Sequence, residues 1–127
     1  MSTQEFYDEL MSQNILIAEF WGYKFYPSDP WYKLNGYRDH YWIDNKDKSI
    51  QRLVPKNFRF DWDWNWLLPV IKKIDKMDFL DAPHNHELIR YHAEFCVNIK
   101  EKIIEEDIQE AYDMVVDFIN IYNKNKK

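Results

Sequence analysis

The feature that most constrains this chain is a change of apolar period near its middle. Phe58, Phe60, Trp62, Trp64 and Trp66 occupy every second position, separated by Arg59, Asp61, Asp63 and Asn65. Alternation of that kind is the pattern of a half-buried strand. Yet Trp64, Leu67, Leu68, Ile71 and Ile74 follow helical spacing. Asp61, Asp63 and Asn65 each carry a side chain suited to capping a helix N-terminus. Pro69 is tolerated best near a first turn, which favours a late start, at Asp63 or Asn65. The spacing predicts an extended segment over 58–62 that runs directly into a helix ending near Met77, with Leu67, Ile71 and Ile74 as its buried stripe.

Size and composition set the frame around this centre. A chain of 127 residues suits one domain, 1–127, with residues 1–14 as an N-terminal helical extension. Aromatic residues make up 18% of the chain, a supply of large buried side chains that excludes a disordered protein. The only glycines, Gly22 and Gly36, exclude a glycine-rich phosphate loop. Cys96, the single cysteine, cannot form an internal disulfide and points to a reducing compartment or to indifference about redox state. With no long apolar window and no signal-like start, the chain reads as cytoplasmic, with no membrane partner. A net charge of −5 argues against nucleic acid as a partner.

Along the chain, Ser2 and Glu5 fit a capping box, and Phe6, Leu10 and Met11 give a short apolar stripe. Asn14 is suited to cap a second helical stretch, 15–21, which Gly22 ends; one continuous helix is the alternative. Pro27 and Pro30 make 23–31 a turn or extended connection. Tyr41, Trp42 and Ile43 suggest a strand, 44–48 a turn, and 49–54 a hairpin partner. Segment 78–87 reads as a loop. In 88–99, Ile89, Tyr91, Ala93, Phe95, Val97 and Ile99 share one parity, which predicts a strand, although Leu88, Tyr91, Phe95 and Ile99 also suit a helix. Asp107 caps a final helix with Ile108, Ala111, Tyr112, Val115, Ile119 and Tyr122 on its apolar face. The expected class is α+β, a small single domain with helices packed on a small antiparallel sheet.

Blocks in three places resemble a group of small phage and prophage proteins. They are Leu16-Ile17-Ala18-Glu19-Phe20-Trp21-Gly22, then Trp64-Asn65-Trp66-Leu67-Leu68-Pro69-Val70-Ile71-Lys72-Lys73-Ile74, then Ala111-Tyr112-Asp113-Met114-Val115-Val116-Asp117-Phe118-Ile119 with Tyr122-Asn123. The group is similar to the phage α-β-α sandwich domain. The resemblance implies a phage or prophage source and a layered fold, and it implies no activity. Asn65 departs from the aspartate that the group carries at that position.

Candidate chemistry is sparse. His84, Asn85, His86 and Glu87, with His92 and Cys96 downstream, offer metal-ligating residue types, but no second paired-ligand motif accompanies them, so no metal site is expected. Asp61 and Asp63 alternate as paired carboxylates do, but helix capping accounts for at least one of them. Cys96 has no basic partner that marks a nucleophile, which favours an inert thiol. No catalytic residue and no cofactor is expected.

The aromatics outside the clear helices carry the functional expectation. Trp31, Tyr32, Tyr41, Trp42, Trp62 and Trp64 are the candidate partner-binding residues, since Trp and Tyr are enriched at interface hot spots. The first expectation is a non-enzymatic accessory protein that binds a host protein, inhibition of a defence system included. The second is a small-molecule or nucleotide-signal binder, with aromatics stacking on a base; few basic residues cluster near them in sequence, and Lys33, Arg38, Arg52 and Arg59 would have to converge in the fold. A homodimer stays open.

Overall fold

The computed structural model describes residues 3–26, 40–44, 50–53, 57–77 and 86–125. The chain divides into two compact units, Met1–Phe58 and Arg59–Lys127.

Met1–Phe58 begins with α1, Thr3–Trp21, a single unbroken helix. Asn14 does not cap a second helix; it lies buried within the first, on the face that also carries Ile17 and Ala18. The helix stops at Gly22, whose φ of 129° a side chain would oppose. The N–H groups of Gly22 and Tyr23 both donate to the Ala18 carbonyl, at 3.0 and 2.9 Å, and so close the last turn. Next come β1, Lys24–Tyr26, β2, His40–Asp44, and β3, Ile50–Leu53. They form an antiparallel sheet in the order β1-β2-β3, with Phe25 opposite Tyr41 and Tyr41 opposite Leu53. The hairpin expected around residues 41–54 is thus present, and it gains a third strand from the connection after α1. Tyr23 and Phe58, both buried, meet edge to face with ring centroids 5.4 Å apart.

The described residues of Arg59–Lys127 form three helices and their flanking turns: α2, Trp64–Asp75, α3, His86–Ile104, and α4, Ile108–Asn125. The approach to α2 is not the extended segment that alternation predicts. The N–H groups of Trp62 and Asp63 both donate to the Arg59 carbonyl, at 3.3 and 2.9 Å, so the chain turns there. Asp63 then sits in extended geometry, φ −121° and ψ 109°, and its carboxylate accepts from Asn65 N–H at 3.0 Å. That is the late start the sequence favours, and it places Pro69 just past the first turn. Leu67, Val70, Ile71 and Ile74 form the buried stripe.

The strand expected over 88–99 is a helix, part of α3. Helical spacing wins because it buries Leu88, Phe95 and Ile99 on one side. The strand's chosen face would have buried Val97 as well, and Val97 is 71% exposed. The helix ends in a left-handed residue, Glu106 at φ 57°, with Glu106 N–H on the Ile103 carbonyl and Asp107 N–H on the Lys102 carbonyl. Asp107 at once caps α4, its carboxylate accepting from Glu110 N–H at 3.1 Å. Lys102 bridges the turn to Glu110 at 2.6 Å and lies 3.7 Å from Glu105.

Lys102 meets Glu110 beside the turn, while Tyr91, His92 and Phe95 meet Phe118 farther along, so α3 and α4 run antiparallel. Phe118 is the centre of this packing, fully buried, with the rings of Phe95, His92, Tyr91 and Tyr122 between 5.4 and 6.4 Å away. α2 packs on both α3 and α4.

The expected class, helices packed on a small antiparallel sheet, is therefore overturned. The described chain is mostly helical, and its extensive helix packing joins helix to helix. Strand content was overestimated where outward-facing apolar residues of α3 imitated a period of two.

Candidate functional site

The turn before α2 produces one exposed aromatic of unusual setting. With the chain turning at Arg59, Phe60 points into the core and Trp62 does not: Phe60 is buried, whereas Trp62 is 60% exposed. The same turn brings the Arg59 guanidinium over the Trp62 ring, 5.4 Å from its centroid. Arg59 also reaches the Asp63 carboxylate at 4.0 Å. Each of these contacts contributes at most about 1 kcal/mol at an exposed site. Together they hold an aromatic plate and a cation in one arrangement, which reduces the side-chain ordering needed on binding.

The surrounding residues fix this turn from below. Phe60 meets Trp66 edge to face at 5.3 Å. Burial first, and then the carboxylates of Asp61 and Asp113, push the Tyr112 hydroxyl well above its ordinary value. Asp63 is committed to capping and to Arg59. Asp61 and Asp63 therefore serve different neighbours.

The remaining sequence candidates lie in other elements or outside the described residues. Trp31 and Tyr32 lie outside the described residues, as do Lys33, Arg38 and His84. Tyr41 and Trp42 lie in β2, where Trp42 pairs with Lys24 and Arg52. Trp64 is the first residue of α2 and half-buried. His86 opens α3 and is exposed. His92 faces the Ile74 carbonyl, to which its Nε2–H donates at 2.6 Å, so this ring joins α3 to the end of α2. Cys96 lies one turn on, its sulfur 3.6 Å from His92 Nε2. Burial, then a hydrogen bond to Asp75 and the charge of Asp75, push the thiol from 9.0 to about 11, against an opposing effect of Lys100. A thiol so held stays protonated at neutral pH and is a poor nucleophile. Among the described residues, no group of three or more His, Cys, Asp and Glu gathers to hold a metal ion, and no helix is long and apolar enough to cross a membrane.

Sequence reasoning selected Trp62 but missed Arg59 as its partner. The signal was present as Arg-x-x-Trp-Asp, a spacing that brings the side chains together only once the segment is turned rather than extended. Comparison with protein-family models, curated proteins and solved structures finds no match for this chain.

Proposed function

We propose that the chain is a non-enzymatic, phage-encoded accessory protein that binds a host protein in the host cytoplasm. The observation that carries this reading is the exposed Trp62 ring with Arg59 stacked on it and Asp63 beside them. Trp and Arg are the residues most enriched at binding hot spots, and a desolvated cation–π pair is worth more than an exposed one. The resemblance of the blocks around Leu16, Trp64 and Ala111 to phage proteins supports the source. Inhibition of a host defence system is the activity that such a binder would exert.

The test is affinity capture from host lysates with the native chain and Trp62→Ala in parallel. One host protein is expected to be retained by the native chain, with affinity reduced about 30-fold or more by Trp62→Ala. The variant's folding stability should stay within about 0.5 kcal/mol, since an exposed side chain is removed. A partner held equally well by Trp62→Ala would remove Trp62 from the site, and no reproducible partner would sink the reading.

A further inference from the structure

A second surface lies in α1. At about 100° per residue, Phe6, Tyr7, Leu10 and Met11 fall within an arc of about 140° on the helix, and Asn14, Ile17 and Ala18 continue the same arc. In the later half that arc is covered: Asn14, Ile17 and Ala18 are all buried. In the earlier half it is not. Residues 3–9 are exposed without exception, Phe6 at 57% and Tyr7 at 47%, and Leu10 and Met11 are only half-buried. The apolar face of α1 thus extends beyond whatever covers it, and it ends on two aromatic rings.

Charge identifies what would complete that face. α1 carries Glu5, Asp8, Glu9 and Glu19 and no Lys or Arg anywhere between Thr3 and Trp21. On the helix, Asp8 borders the arc on the Met11 side and Glu9 borders it on the Phe6 side, with Glu5 behind. A second copy of α1 would set these carboxylates against their like, with no cation on the helix to answer them. An anionic lipid surface would repel them as well. A helix with an apolar stripe flanked by Lys and Arg satisfies both the rings and the rims, as apolar seams and flanking charges do in paired helices. We propose that the N-terminal half of α1 is a docking surface for a basic amphipathic helix of a partner protein, seated on Phe6, Tyr7, Leu10 and Met11 and edged by Asp8 and Glu9. It stands independently of the Trp62 reading, because neither its residues nor its probe are shared.

The test uses the full chain and two synthetic helical peptides of the same Leu stripe, one flanked by Lys and one by Glu, followed by calorimetric titration. The Lys peptide is expected to bind and the Glu peptide not, with affinity falling as salt rises. Phe6→Ala with Tyr7→Ala should weaken Lys-peptide binding at least tenfold, and Asp8→Asn with Glu9→Gln severalfold. Circular dichroism should show all variants folded, since the altered side chains are exposed. Absence of binding that depends on Phe6 and Tyr7 would overturn the proposal. So would binding of both peptides alike, or a homodimer in sedimentation that Phe6→Ala dissolves.

Discussion

Among the described residues, the two units of this protein differ in how many of their aromatic rings they bury together. In Arg59–Lys127, Phe118 is ringed by Tyr91, His92, Phe95 and Tyr122 between two antiparallel helices, and every helix contributes buried residues. In Met1–Phe58, Phe6, Tyr7 and Phe25 are exposed, and the described burial is confined to Asn14, Ile17, Ala18, Tyr23 and Phe58. Among the described residues, rings thus gather into a core around Phe118 in one region, while three of the other region's rings lie on its surface. The lesson is that aromatic content alone does not forecast stability; what matters is whether helical spacing brings the rings to one face.

Paired substitutions put that contrast to its hardest test. Phe118→Ala should destabilise the protein by about 3–5 kcal/mol, through lost burial and the cavity left behind. Phe6→Ala should change stability by no more than about 0.5 kcal/mol. Urea denaturation of the two variants checks both, and similar losses would erase the distinction between the regions. On a smaller scale, the caps report on the helical unit: Asp63→Ala and Asp107→Ala should each cost about 1 kcal/mol, because each leaves a helix N-terminal N–H without its carboxylate acceptor. Thermal melts would register either loss as a lower midpoint.

Cys96 sharpens the comparison through pH. Its thiol holds its proton more tightly when folded, about 11 against 9.0, so the associated stability is complete below pH 9.0 and is lost as pH rises through about 11. Cys96→Ser should flatten that alkaline decline in denaturation curves. Iodoacetamide should modify the native thiol at pH 8 far more slowly than the thiol in urea. The smallest effect concerns the two helix stops. Gly22 meets its positive φ without a side chain, whereas Glu106 meets a φ of 57° with one. Glu106→Gly should therefore gain about 0.5–1 kcal/mol, measured as a raised urea midpoint, because the strain relieved exceeds the added chain entropy only modestly.

Much of the helical unit was legible in the sequence because several signals agreed. α4 had both a helical apolar face and Asp107 as its cap, and α2 had Asp63 with Leu67, Ile71 and Ile74. α3 was misread because Ile89, Ala93 and Val97 are outward-facing, and they completed a false alternation with Tyr91, Phe95 and Ile99. The candidate site was half legible. Trp62 stood out as a large aromatic in an ambiguous segment, but Arg59 joins it only through a turn whose hydrogen bonds no periodicity announces. Trp31 and Tyr32, named as aromatics outside the clear helices, fall outside the described residues.

The tight join between α3 and α4 has a kinetic consequence. Its contacts, from Lys102 with Glu110 outward to Tyr91 with Phe118, link residues close together in the chain. Contacts of short sequence separation require little loop closure, so this helical hairpin is suited to form early and to serve as the template on which α2 docks. Assembly of the α-helical unit would then begin at its C-terminal end, the last part of it to be synthesised.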